Sequence, residues 1–230
     1  MTDSLASPSL QALPAAAPSA NAVRQGAQAQ NMAVLEQLAS LYPKLFGAHF
    51  LPLKRGIFQD LLLAHPEVLQ SEPLKSALAF HTRSTRYLVA VGSGLARHDL
   101  QGLPVEAMAP EHVHHAVLEV FRRRQGRSTD DLRPKLRERI VHAYEASGLS
   151  RADYTALVFG RDELANAVLE EALNEADARA AKDEALLRAF ETSGQTPEAF
   201  ADMYGLSPRT ATQTLERAQT RRANNTRSAG

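Results

Sequence analysis

Two arginines and a tyrosine lie close together in the segment HTRSTRY at 81–87. On a helix, residues three or four positions apart share a face, so Arg83 would lie beside Arg86 and Tyr87. A guanidinium group offers paired donors that match two phosphate oxygens, and a tyrosine ring can stack on a base or donate its hydroxyl. This pattern indicates phosphate or nucleic-acid binding, although an ordinary amphipathic helix with surface arginines has the same spacing.

Two further basic positions flank predicted turns. Lys54 and Arg55 directly precede a predicted helix over 56–63. Cations are unfavourable at a helix N-terminus unless an anion binds both the helix amides and the basic side chains. Arg97 is followed two residues later by Asp99, which can orient it at a tight turn. The alternatives are a solvated basic pair beside a core helix and a plain hairpin turn.

Hydrophobic periodicity predicts the elements that position these groups. Helices are expected over 32–42, 56–63, 71–80, 82–91 and 111–124, with Ser71 as a cap and a short hairpin around residues 101–102. The first part of the chain is therefore predicted to be mainly α.

Composition restricts the possible classes of protein. Hydrophobic residues make up 44% of the chain and charged residues 23%, there is no cysteine, and the formal net charge is zero. The sequence has no uninterrupted apolar segment long enough to predict a membrane span. Because there is no cysteine, thiolate metal sites and disulfides are excluded. The balanced charge argues against diffuse electrostatic binding of nucleic acid, so an anion site must come from a local patch. We expect a cytoplasmic protein.

Five motifs together resemble the FinO/ProQ family of bacterial RNA-binding proteins and RNA chaperones. Their order and spacing both match over residues 31–124. The motifs are YPKLF at 42–46, PLKRGIFQDL at 52–61, LKSAL at 74–78, TRSTRYL at 82–88 and RHDLQGLP at 97–104.

The resemblance implies a compact helical domain with a small β-hairpin that binds structured RNA at a hairpin base and its 3′ end. Small RNAs and mRNA 3′ ends are the expected partners. The expected activity is the promotion of RNA–RNA pairing in post-transcriptional regulation. The resemblance implies no enzymatic role, metal, cofactor or membrane. Lys54, Tyr87 and Arg97 are expected on a concave RNA face, where alanine at Tyr87 or Arg97 should weaken RNA binding without lowering the melting temperature. The remaining RNA-binding candidates are Arg55, Lys75, Arg83 and Arg86, with Lys75 expected to meet duplex phosphates.

Some positions depart from the family pattern. Ser71 and Ala79 stand where a basic residue is often found, and Thr85 stands where an aromatic residue is common. Arg83 is an added charge that compensates in part. We therefore expect weaker binding or a narrower set of RNAs.

The remainder of the chain is predicted to be an all-α extension. When the sequence is shifted by 46 residues, 137–172 overlays 183–218 with nine of 36 positions identical, which predicts a tandem repeat. The expected division is a disordered Ala/Pro/Ser tail at 1–30, a FinO/ProQ-like domain at 31–126, a linker at 127–136, the helical extension at 137–220 and a disordered end at 221–230.

An alternative function is suggested by residues 196–218, which are typical of a helix-turn-helix. Ser207 is placed to cap the second helix and Pro208 to begin it. Arg209 and Gln213 would then face a DNA groove in a transcriptional regulator. The other alternative is a scaffold whose helices recruit a protein partner.

Three histidines, His112, His114 and His115, follow Glu111. Their spacing does not match a metal-ligand set, so we interpret them as surface histidines. The sequence contains no glycine-rich phosphate loop, nucleophile elbow or catalytic dyad.

Overall fold

The computed structural model describes residues 20–228 and confirms the predicted fold class, mainly α with one small hairpin. The first group of elements is α1 (Ala20–Leu41), α2 (Pro43–Phe46), α3 (Ile57–Ala64), α4 (Ser71–Thr82), α5 (Thr85–Gly92), β1 (Arg97–His98), β2 (Pro104–Glu106) and α6 (Pro110–Gln125). The second group is α7 (Arg133–Ser147), α8 (Arg151–Val158), α9 (Glu163–Ser193), α10 (Pro197–Met203) and α11 (Pro208–Ser228).

The first group packs around one apolar core. Leu38 of α1, Leu61 of α3 and Leu74 of α4 are fully buried in it. The antiparallel strands β1 and β2 lie at its edge, where His98 of β1 also bridges to Leu53 in the segment before α3. The hairpin is thereby attached to the segment that carries the predicted basic pair.

Several predicted boundaries differ from the structure. Helix α1 begins at Ala20, so residues 20–30 are helical and not part of a disordered tail, while residues 1–19 lie outside the described residues. Helix α7 begins at Arg133, inside the predicted linker, and α11 continues to Ser228, inside the predicted disordered end.

The segment around Arg83 is two helices with a sharp turn between them. The helix predicted over 82–91 contained Arg83, Arg86 and Tyr87 together, which is wrong because α4 ends at Thr82 and α5 begins at Thr85. The break follows from Ser84, whose side chain accepts a hydrogen bond from the Tyr87 amide as an N-cap. Similarly, Ser71 is the first helical residue of α4 and not its cap.

Helix α6 belongs to both halves of the molecule. Its Ala116 packs in the first core, whereas Val117 packs in a second core that is formed with α7, α8 and α9. His114 was expected at the surface but is buried against Tyr154, with its Nδ1 3.2 Å from the tyrosine hydroxyl. Because burial disfavours the charged imidazole, the pKa of His114 falls to about 4.

The extension contains the same local geometry twice at an offset of 46 residues. Gly148 and Gly194 both end a helix with positive φ angles, 65° and 62°, which glycine adopts without strain. The aromatic pair Tyr144 and Tyr154 has a centroid separation of 5.3 Å, and so does its equivalent, Phe190 and Phe200. These equivalences support the predicted tandem repeat.

The two copies also share an ion-pair arrangement in which the charges are exchanged. Arg137 of α7 pairs with Glu171 and Glu175 of α9. Its equivalent, Asp183 of α9, pairs with both arginines at the corresponding positions of α11, which are Arg217 and Arg221. Either polarity links neighbouring helices, so the geometry persists although the residue types are reversed.

No helix among the described residues has the length and apolar character needed to cross a membrane.

Candidate nucleic-acid interface

Three of the predicted site residues meet at Leu53, in the segment between α2 and α3. The Leu53 amide donates to the Tyr87 hydroxyl at 3.0 Å, and Arg97 Nη1 donates to the Leu53 carbonyl at 3.1 Å. The next amide, that of Lys54, donates to the His98 carbonyl of β1 at 2.9 Å. The fold therefore brings Lys54 of the segment before α3, Tyr87 of α5 and Arg97 of β1 close together.

Tyr87 is an internal residue of this site. Its side chain belongs to the first core, and only 6% of the residue is exposed. Burial also raises the pKa of its hydroxyl, which accepts the Leu53 amide bond. The ring is not available to stack on a base in this conformation, so Tyr87 positions the Leu53–Lys54 segment and its replacement by alanine should lower stability, contrary to the expectation from sequence.

Arg97 is also held by several neighbours. Its Nη2 lies 3.3 Å from His112 Nδ1, and its Nε lies 3.4 Å from the Glu106 carboxylate. The same carboxylate accepts a hydrogen bond of 2.6 Å from Arg55 Nε. Glu106, which no sequence motif indicated, therefore joins two arginines that are 42 positions apart in the chain.

We call Lys54, Arg55, Arg97 and Glu106 the hairpin cluster. Lys54 Nζ is 2.6 Å from the carboxylate of Asp60, which lies in the first turn of α3. This contact accounts for the basic pair before the helix, because Asp60 supplies an anion at the N-terminus. Arg55 remains 72% exposed, and only its Nε is engaged by Glu106 in the described structure.

Lys75 and Arg83 line a different surface, an open groove of about 520 Å³ beside α4. We call it the α4 groove and define it by Asn31, Glu72, Lys75, Phe80 and Arg83. Lys75 lies 4.0 Å from Glu72 at the limit of an ion pair, and both side chains are largely exposed. Phe80 is 37% exposed in the groove. It was not a predicted site residue, because the only sequence signal is an aromatic residue five positions after Lys75.

Arg86 is separated from Arg83 by the turn and contacts another segment. Its Nη2 donates to the Ala48 carbonyl at 2.6 Å, and its guanidinium lies 4.2 Å from the centroid of the Phe50 ring. Phe50 in turn contacts the buried ring of His81. Burial, with a smaller contribution from Arg86, lowers the pKa of His81 to about 4, so this imidazole is neutral near pH 7.

The turn between α4 and α5 is fixed by Arg123 of α6. Its Nη1 donates to the Arg83 carbonyl at 2.8 Å and to the Thr85 hydroxyl at 3.2 Å. The Arg83 side chain itself has no ion-pair or hydrogen-bond partner within residues 20–228. Arg123 thus holds the backbone of the turn while the guanidinium of Arg83 stays exposed.

The first part of the chain is thus a helical body with an attached hairpin and two separate sets of basic side chains. Residues 28–133 match the model of the ProQ/FINO family. A solved structure of a FinO-like RNA chaperone from Neisseria meningitidis is 24% identical, with a TM-score of 0.37, over 48% of this chain and 98% of that chain.

Proposed function

We propose that the ProQ/FINO domain binds structured RNA by holding the base of a hairpin and its 3′ end. The observation that supports the proposal is that Tyr87 and Arg97 both bind the backbone of Leu53, next to Lys54, within the region that matches the family model. An A-form duplex hides its base edges in a narrow groove, so a protein recognises its phosphates, its shape and its unpaired ends. A few cations held in fixed positions are sufficient for that kind of recognition, even in a chain without net charge.

The two basic surfaces take different parts of the RNA in this proposal. Lys75 and Arg83 of the α4 groove contact duplex phosphates, and the exposed Phe80 ring stacks on an unpaired base. Arg55 in the hairpin cluster offers its two terminal nitrogens to the phosphates of the 3′ end, because Glu106 engages only Nε. Lys54 and Arg86 add positive charge, whereas Arg97 and Tyr87 chiefly hold the segment that carries Lys54.

Binding of this kind protects a 3′ end and brings complementary RNAs together, which serves post-transcriptional regulation through small RNAs and mRNA 3′ ends. It requires no catalytic group and no cofactor. The helical extension beyond α6 forms a separate functional part in this proposal, with the RNA-binding domain at 31–126 and the extension at 137–220.

The test is fluorescence anisotropy with a labelled hairpin RNA, with and without a single-stranded 3′ tail, at several salt concentrations. Lys75→Ala should reduce the slope of log affinity against log salt by roughly 0.7–0.9, the value of one lost phosphate contact. Arg55→Ala should weaken binding of the tailed hairpin more than that of the blunt one. The matched control is Arg133→Ala, an exposed arginine at the start of α7 that pairs with Asp131. Equal losses in all three variants, or no loss in any, would reject the proposed interface.

The geometry of α10 and α11 favours a second candidate, DNA binding by the extension. A four-residue turn joins the two helices, Ala201 is buried beneath it, and Ser207 caps α11. Arg209 and Gln213 are exposed on the first turns of α11, as groove-reading side chains must be. The double variant Arg209→Ala/Gln213→Ala should lower affinity for duplex DNA and leave hairpin RNA binding unchanged; an unchanged DNA affinity would favour a scaffold role for these helices.

A further inference from the structure

A cavity of about 360 Å³ lies where the ProQ/FINO domain meets the extension, between α5, α6 and α7. We call it the junction cavity. Its walls are apolar and come from all three helices: Leu88 and Val89 of α5, Val117 and Phe121 of α6, and Leu136 of α7. None of the residues of the hairpin cluster or the α4 groove lines it, so it is separate from the proposed RNA interface.

The rim of the junction cavity carries an unusual set of charges. Arg124, Lys135 and Arg139 line it, and within residues 20–228 none of their side chains has an ion-pair or hydrogen-bond partner. Glu138 also lines the cavity but forms no ion pair with them in that part of the chain. Arg137, in contrast, is paired with carboxylates of α9. Uncompensated positive charge is therefore concentrated at the mouth of an apolar cavity.

We propose that the junction cavity binds a small amphipathic anion, with an apolar body between the three helices and a carboxylate at the rim. The walls of Leu, Val and Phe side chains offer no hydrogen bonds, so a nucleobase would lose the partners of its polar edge there. An alkyl or aryl group has no hydrogen bonds to lose when it enters the cavity. The carboxylate of the ligand gains charge-assisted hydrogen bonds from the arginines. The volume lies within the range of small-molecule sites.

Arg139 has a special position among the three cations. It lines the junction cavity and also a neighbouring cavity of about 280 Å³, and Gly92 of α5 is the other residue that the two share. A Cβ atom at Gly92 would lie 3.3 Å from a Val117 methyl, so glycine at this position allows α5 and α6 to pack closely between the two cavities. A carboxylate bound by Arg139 is thus close to apolar space on both sides.

The experiment uses the full chain and the fluorescent probe 8-anilinonaphthalene-1-sulfonate, displaced by octanoate, decanoate or dodecanoate and by the matching alcohols. Each added methylene should strengthen displacement roughly fourfold until the cavity is full. The carboxylates should displace the probe about tenfold better than the alcohols, because the alcohols lack the charge. Arg124→Gln/Arg139→Gln should abolish that difference. Val89→Trp, a change at a partly exposed residue of the wall, should block binding of both series.

The matched control is Arg127→Gln, an exposed arginine that does not line the cavity, and it should behave as the wild type. Equal displacement by acids and alcohols, or an unchanged preference in the Arg124→Gln/Arg139→Gln variant, would overturn the proposal. A loss of hairpin RNA affinity in that variant with unchanged decanoate binding would also overturn it, because the rim would then belong to the RNA surface.

Discussion

Tyr87→Phe tests whether the Leu53 contacts hold the candidate interface together. The substitution keeps the buried ring but removes the hydroxyl that accepts the Leu53 amide at 3.0 Å. Leu53 is itself buried, so water cannot replace the lost acceptor. An orphaned buried amide costs about 2 kcal/mol, which for a chain of this size lowers the melting temperature by roughly 4–8 °C.

The assay is urea unfolding followed by far-ultraviolet circular dichroism, together with amide hydrogen exchange at Leu53. The matched control is Tyr42→Phe, which removes a half-buried hydroxyl bonded to His65 at 2.8 Å. Because water can reach that site, the control should lose less than about 1 kcal/mol. If Tyr87→Phe costs no more than the control, or if the Leu53 amide exchanges no faster, the argument that Tyr87 positions this segment is refuted.

Two further predictions concern buried polar groups. His81 and His114 both have pKa values near 4 in the folded state, below the ordinary value of 6.5. The unfolded chain therefore binds more protons below pH 6.5, and the free energy of unfolding should fall between pH 6.5 and 4 by up to about 3 kcal/mol per histidine; His81→Leu should flatten this dependence in urea titrations, and an unchanged profile would contradict the assignment. Asp183→Asn leaves Arg217 and Arg221 without their shared carboxylate, whose side chain is 5% exposed. Since the arginines can turn towards water, the free energy of unfolding should fall by about 2 kcal/mol, less than for a fully enclosed pair. A fall of less than about 0.5 kcal/mol in urea unfolding would rule out a stabilising role for Asp183.

Local sequence determined most of the helices and the repeated geometry of the extension. Periodic apolar residues and caps act over one or two turns, which is why α3 and α6 lie close to their predicted bounds. Gly148 and Gly194 end their helices for a local reason, because a positive φ angle is unfavourable for any other residue. The cap at Ser84 did not enter the prediction, so the helix expected over 82–91 included Arg83, although α5 begins at Thr85.

Only the tertiary structure decided how the basic residues are used. Tyr87 and Leu53 are 34 positions apart, Arg97 and Leu53 are 44 apart, and Arg55 and Glu106 are 51 apart. Such contacts arise from the packing of distant elements, which short-range periodicity does not encode. Sequence could show that Tyr87 is aromatic and lies beside arginines, but its burial, like the enclosure of the junction cavity, follows from where the helices meet.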